Sequence, residues 1–151
     1  MLALIERDAM DSLDHFTHLL DMNFSPMRKL RYHLAGVINM YEQVPYLNRL
    51  LGIVIRDSDP KQAKVIADRF IQPVIDAYRR LVDQGVERGE FRPISPMNLY
   101  YISIGMCEEI FASRPVLRNC FGIERLDDEL KRSFIADVTT FVTAGIAAEK
   151  P

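Results

Sequence analysis

Long hydrophobic runs are missing from this chain: no apolar stretch approaches the ~20 residues that a membrane-crossing helix requires. Near the start, Glu6, Arg7 and Asp8 interrupt the apolar pattern before it could become a secretory signal. Both absences point to a cytoplasmic protein with no membrane partner. Cysteine is scarce as well. Cys107 and Cys120 stand alone in apolar surroundings, at a spacing that fits no metal or redox motif, so both are expected as buried, reduced thiols. Charge of one sign is not in excess: Asp, Glu, Lys and Arg make up 26% of the chain and the formal net charge is -2. That balance removes the electrostatic footprint of a free-standing nucleic-acid binder. The short basic run Arg28, Lys29, Arg31 reads as a solvated helix face. No glycine-rich loop precedes a helix to cradle phosphate, and no nucleophile, base and orienting group can be assembled. No catalytic residue and no cofactor are therefore expected. Nor is there a sustained alternating pattern bounded by turns, which leaves an all-α class.

What is present suits a helical domain. With 151 residues, 48% of them apolar, the chain can bury roughly two thirds of its unfolded surface in one core, and no linker interrupts it; residues 1–151 are expected to form one domain. Ser25-Pro26, Asp59-Pro60 and Ser95-Pro96 each place an oxygen acceptor before a proline at the first helical position, where the missing amide hydrogen costs nothing. Apolar residues at helical spacing follow each pair. Helices are expected at about 26–43, 60–88 and 96–113, the last two stopped by Gly89 and Pro115. Pro73 should kink the second of these and free the carbonyl of Arg69. A fourth helix, about 2–22, carries the stripe Leu2, Ile5, Ala9, Leu13, Phe16, Leu20. A short one runs from Pro45 to Arg56. The last, about 127–148, starts at the cap Asp127 with Asp128 and Glu129 set favourably against the helix dipole. The expectation is a bundle of about six helices.

The helix at 96–113 has too little polar surface for a lone subunit. At about 100° per residue it shows two adjacent apolar stripes, one of Leu99, Ile102, Met106 and Ile110, the other of Tyr100, Ile104, Cys107 and Phe111. The remaining wedge holds Asn98, Gly105, Ala112, Glu108 and Glu109. The final helix repeats the theme, with Leu130, Phe134 and Phe141 beside Ile135, Val138, Val142 and Ile146, and with Gly145 permitting close approach of another backbone. Helices apolar on this scale must be covered on more than one side. The expected arrangement is a twofold homodimer with an isologous four-helix interface, in which Leu99, Ile102, Met106, Phe134, Val138, Phe141, Val142 and Gly145 meet a second copy. The plainer alternative is a buried central helix.

The stretches "DAYRRLVDQGVERGEFRPISPMNLYYISIGMCEEIFASRP" and "LDDELKRSFIADVTTFVTAGI" resemble the carboxy-terminal domain of TetR-family transcriptional regulators. The shared pattern is a helix ending in Gly-x-x-x-Gly-x-Phe, a proline-initiated apolar helix, a connecting segment, and a final helix ending in an apolar-Gly turn. It covers the last half of the chain well and the first half by helix order. The resemblance implies an all-helical domain that binds a small effector and dimerises through its last two helices, here those around Ile102 and Phe141, with DNA binding, and so repression, left to an amino-terminal helix-turn-helix. Met1 falls directly inside the apolar pattern Leu2-Ala3-Leu4-Ile5, which leaves no room for three DNA-binding helices. The chain is accordingly expected to be a trimmed or shortened regulator that reaches DNA only through a missing domain.

Two further clusters carry chemistry. Asp11, Asp14, His15 and His18 pair carboxylate with imidazole twice at i and i+4, as a divalent metal would need. They lie opposite the Leu13 and Phe16 stripe, however, where a solvated face with weak Asp–His pairs is the ordinary outcome, and a di-metal bundle would need Glu-x-x-His on two helices. No metal is expected; a helical metalloprotein built on Asp11, His15 and His18, or a structural dimer without ligand, are the alternative functions. His33 sits at the edge of an apolar face, either as a satisfied core histidine or as a hydrogen-bonding group in a pocket. Tyr41, Tyr78 and Tyr100 offer apolar bodies with polar tips, the mixture found in small-molecule cavities. With Phe70, Cys107 and Phe111 they complete the candidate pocket for a small apolar or aromatic effector. The two stripes of the 96–113 helix could exchange roles between pocket and partner. Ser103, inside that helix, should bond back to a carbonyl.

Overall fold

The computed structural model describes residues 2–150, with the backbone alone for Leu2, Leu4 and Ile5. Within it lie eight helices: α1 (Leu2–Asp21), α2 (Pro26–Gln43), α3 (Leu47–Asp57), α4 (Pro60–Phe70), α5 (Gln72–Glu87), α6 (Pro96–Ala112), α7 (Arg114–Phe121) and α8 (Asp128–Ile146). No strand occurs among the described residues; an isolated antiparallel bridge joins Phe91 to Ala147.

The expected start signals act as written. Ser25 Oγ accepts from the Arg28 amide at 3.2 Å, Asp59 Oδ1 from Lys61 and Gln62, Ser95 Oγ from Asn98 and Asp127 Oδ1 from Leu130 at 2.8 Å. Each satisfies a donor that the helix itself leaves free.

Eight helices rather than six result from two prolines. Pro73 does more than kink a long helix: α4 ends at Phe70, Ile71 bonds back to the Ala67 carbonyl, and α5 starts with Pro73 in its first turn. A proline that cannot donate is tolerated there and nowhere further in. α6 ends at Ala112, just before Pro115 as expected, and Pro115 then opens the additional α7, which ends at Gly122, whose φ of 68° is the left-handed cap that glycine adopts without penalty.

At the centre runs α2, packed against α1, α5, α6 and α8. Its Leu30, Leu34, Val37, Ile38 and Tyr41 are buried, each stabilising the fold by roughly 1.5–3 kcal/mol through burial. The stripe of α1 is half right: Phe16 and Leu20 are core, Ala9 and Leu13 are half-buried, and the side chains of Leu2 and Ile5 lie outside the described residues.

One basic residue was misplaced by the sequence pattern. Lys29 is buried, not solvated, because it falls four residues before His33 on the inward stripe of α2. Its Nζ donates to the Leu20 carbonyl at 2.6 Å and to Gln84 Oε1 at 2.9 Å, and Gln84 Nε2 donates to the same carbonyl at 3.3 Å. The end of α1 is thereby tied to α2 and α5. Arg28 and Arg31 are exposed as expected, with the Arg28 guanidinium 4.3 Å from the Phe24 ring centroid.

The Gly-x-x-x-Gly-x-Phe motif closes α5. Gly89, at φ 71°, reverses the chain so that the Glu90 and Phe91 amides both reach the Gly85 carbonyl. Phe91 then buries its ring against Gly85. Beyond the turn, Arg92 N donates to the Ile146 carbonyl and Ala148 N to the Glu90 carbonyl, each at 2.9 Å, which straps this loop to the end of α8. Glu90 Oε2 also accepts from the Met27 amide at the start of α2. A single turn thus sets the positions of α2, α5, α6 and α8.

Candidate functional site

Between α1, α2, α3, α4, α5 and α6 lies an interior cavity of about 60 Å³. Its wall is apolar, with Phe16, Val37, Leu51, Phe70, Val74 and Ile104 among its members, and its polar groups are Ser12, His33, Tyr41, Asn48 and Tyr100. A second space, a surface cleft of about 550 Å³, opens between α1 and α2. Ser12, Phe16, His33, Val37 and Met40 face both, so these side chains are the partition between cleft and cavity.

His33 is the polar centre of that partition. Its ring stacks on Phe16 with centroids 3.6 Å apart, and its Nε2 lies 2.7 Å from the Tyr78 hydroxyl. Burial pushes the imidazole down to about 3, so it is neutral at ordinary pH. Burial pushes the Tyr78 phenol up, so it too stays neutral. Ser103 approaches Tyr78 closely enough to offset a little of that shift, yet its Oγ is buried without closing a hydrogen bond. The expected back-bond to a carbonyl is not made. His33 is therefore both a satisfied core histidine and a wall residue.

At the α3 end, Asn48 Nδ2 donates to the Tyr41 hydroxyl and, at 3.3 Å, to Glu108 Oε2. Burial and the Glu108 carboxylate together push the Tyr41 phenol up. The other carboxylate oxygen, Glu108 Oε1, is out of contact with water and has no hydrogen-bond partner.

Of the residues expected in a pocket, the structure gathers His33, Tyr41, Phe70 and Tyr100 around the cavity. Tyr78, Cys107 and Phe111 are buried but do not line it: Tyr78 stands behind His33, and Cys107 Sγ turns to the Leu34 carbonyl. The stripe of α6 that faces the cavity is Tyr100 and Ile104, while Leu99, Ser103, Cys107 and Phe111 face the core. Asn48, Leu51, Phe16 and Ile104 were missed. For Ile104 the signal was its i+4 spacing from Tyr100; Asn48 sits between the apolar Leu47 and Leu51 and carries no signal of its own.

Burial pushes the Cys107 thiol up to about 12, and so keeps it unreactive. Cys120 is exposed, contrary to expectation, because the short α7 has no buried residue and presents Cys120 and Phe121 outward.

Asp11, Asp14, His15 and His18 are exposed, and Asp11, His15 and His18 line the cleft. His15 Nδ1 is 2.9 Å from the Asp11 backbone carbonyl, not from its carboxylate. Among the described residues no three His, Cys, Asp or Glu side chains are grouped as a metal would need.

The outward face of α6 is largely apolar, and that of α8 sets Leu130, Phe141 and Ala144 among the polar Arg132, Asp137 and Thr140. Phe141 is 72% exposed, Tyr101 67% and Ile102 46%, with Met97 and Leu130 also open and Gly105 and Gly145 leaving the backbone accessible. Among the interface candidates, Ile102, Phe141 and Gly145 face outward and Met106 and Phe134 are half-buried. Leu99, Val138 and Val142 are buried within their own chain and have no surface left to offer a partner. Tyr101 was not anticipated.

Residues 23–151 match a family described as tetracyclin repressor-like, C-terminal domain. In three dimensions the chain is similar to a transcriptional regulator of the TetR/AcrR family from Thermobifida fusca YX-ER1, with a TM-score of 0.70 over 95% of this chain and 70% of that one. At 15% identity the likeness is one of fold. No curated protein matches the chain.

Proposed function

Since the chain belongs to the tetracyclin repressor-like C-terminal domain family, we propose that its residues 1–151 form a single effector-binding and dimerisation domain of a TetR-like transcriptional repressor. The cytoplasmic regulator would pair through the outward faces of α6 and α8 and bind a small apolar or aromatic effector in the interior cavity. Operator contacts would be made by a separate helix-turn-helix head.

The observation that carries this reading is the exposure of Phe141, Tyr101 and Ile102 on two long helices. Large aromatic side chains held open to water beside small residues mark a surface made to be covered. An isologous contact would set α6 and α8 against their copies as four helices.

At about 60 Å³ the cavity is far below the roughly 300–1,000 Å³ of a ligand pocket. An effector would have to displace Phe16 and Met40, merging cavity with cleft and moving α1 against α2. Two such subunits would hold DNA-reading heads to half-sites roughly 34–36 Å apart, so a shift of a few ångströms in α1 would change DNA affinity. Only differential affinity of the effector for the two arrangements does this; equal affinity shifts nothing.

Analytical ultracentrifugation tests the dimer. The wild-type chain should sediment as a dimer, and Phe141→Asp or Ile102→Asp as a folded monomer, because each would bury an unpaired carboxylate in the interface. An unaltered dimer for both variants would place the contact elsewhere. If the chain dimerises yet no apolar or aromatic compound raises its melting temperature, a purely structural dimer is the better account.

A further inference from the structure

The charge distribution around the two spaces is one-sided. Neither the cavity nor the cleft is lined by a lysine or an arginine, whereas Asp8 and Asp11 line the cleft. Asp8 shares its charge with the exposed Arg7 at 3.3 Å. Glu108 lines neither space; it stands behind the cavity residue Asn48, one turn beyond Ile104 on the stripe that begins with Tyr100, and its Oε2 accepts from Asn48 at 3.3 Å. The neighbouring Glu109 pairs with Arg49 at 3.7 Å on the surface. Among the described residues Glu108 has no such cation, and its Oε1 is buried without a donor.

A carboxylate oxygen withdrawn from water without a donor is unfavourable unless something supplies one. A ligand carboxylate would instead meet Glu108 in a medium of low dielectric, where repulsion between like charges is strong. The buried His33, held neutral, would offer such an anion no charge in return. Around the same end of the cavity stand Tyr41 and Tyr100, both near enough to feel the Glu108 charge, and aromatic faces attract ammonium groups.

We propose that the effector is a monocation, an amine carried on an apolar or aromatic body, whose positive end reaches Glu108 beside Tyr41 and Asn48 while its body occupies the cavity enlarged by displacement of Phe16 and Met40. The proposal rests on the cavity being the effector site. The negative field of the cleft would draw such a ligand in, and the carboxylate at the far end would fix its direction.

Phenylbutylamine, phenylbutanol and phenylbutyrate share one skeleton and differ in charge. Calorimetry and thermal-shift measurements on the intact chain should rank them amine, alcohol, acid, with the amine roughly ten-fold tighter than the alcohol, as expected of a charge-assisted hydrogen bond. Glu108→Gln should remove that ten-fold preference of amine over alcohol. Because Glu108→Gln could itself unfold the chain, Ile104→Trp serves as a second variant; filling the cavity, it should abolish binding of amine and alcohol alike. Equal affinity of amine and alcohol, tighter binding of the acid, or an unaltered preference in Glu108→Gln overturns the cation proposal while leaving the cavity as a ligand site. Melting shifts that survive Ile104→Trp, or no shift with any of the three compounds, overturn both.

Discussion

The ring of Phe91 occupies the space that a side chain on Gly85 would fill: a Cβ built on Gly85 would lie 2.0 Å from Cδ2 of Phe91 and 2.2 Å from its Cγ. No real contact is that short, and the ring is packed in the core and cannot step aside. Gly85→Ala should therefore destabilise the fold by about 2–3 kcal/mol, the cost of overpacking a core site, read as a fall in the urea midpoint at unchanged m-value. Gly89→Ala faces no such clash, only the left-handed φ of 71°, and should cost about 1 kcal/mol. Equal effects would show that the Phe91 ring gives way and that its packing does not set the requirement at Gly85.

His33 predicts an acid-sensitive fold. Its pKa is lowered in the folded state to about 3, against an ordinary 6.5, so the unfolded chain binds the proton first. Stability is complete above about pH 6.5 and falls as pH drops from there towards about 3, by up to about 1.4 kcal/mol per pH unit for one group. Denaturant unfolding at about pH 7 and about pH 5 should differ by roughly 2 kcal/mol from this residue alone. His33→Gln should be less stable at neutral pH and show a flatter dependence. The same slope in the variant would assign the effect to other groups.

The two cysteines should behave oppositely towards a thiol reagent. Cys120 is exposed and should label at once in the native state, while Cys107, buried with its pKa near 12, should label only on unfolding. Mass spectrometry of iodoacetamide-treated protein counts the adducts. One adduct before denaturant and two after is the expected result.

Lys29→Met removes the donor that reaches the Leu20 carbonyl and Gln84 Oε1. Leaving buried acceptors without a partner should cost roughly 1–3 kcal/mol, although the Gln84 amide still reaches Leu20. Arg28→Met, on the exposed neighbour, should stay within about 0.5 kcal/mol. Comparable losses at both sites would mean that Lys29 contributes through its chain length and not through its ammonium.

Much of the fold could be seen in the residues themselves, and the reason is local chemistry. Ser25, Asp59, Ser95 and Asp127 act through bonds to amides two or three residues on, so their effect is written in adjacent letters. Pro73 and Pro115 obey the same rule, but whether a proline kinks a helix or starts a new one depends on what the flanking segments pack against. The polarity of single positions was least legible. Lys29 looks like surface until the carbonyl of Leu20 is known to lie within reach, and Glu108 resembles Glu109 until α3 brings Asn48 against one and Arg49 against the other. Leu99 and Ile102 share a stripe on a helical wheel, yet one is core and the other exposed. The boundary between those fates is drawn by α2 and α5, which pack against α6 and which no spacing within it records.

The carboxy-terminal end of α1 is anchored from inside the protein. Lys29 and Gln84 grip the Leu20 carbonyl inside the protein, and Arg80 meets Asp21 at 2.7 Å beside it, whereas near the other end Glu6 is tied to Arg69 by a surface ion pair. A helix anchored in this way has its natural pivot at Leu20. The helix has 20 residues, and at ~1.5 Å per residue it is roughly 30 Å long, so a turn of about 5° carries its far tip by roughly 2.6 Å. Ala9, Ser12, Leu13 and Phe16, which touch the cavity, lie partway along that arm. If the cavity takes an effector as proposed, a guest that pushed them aside by a fraction of an ångström would be read out, magnified, at the helix's beginning.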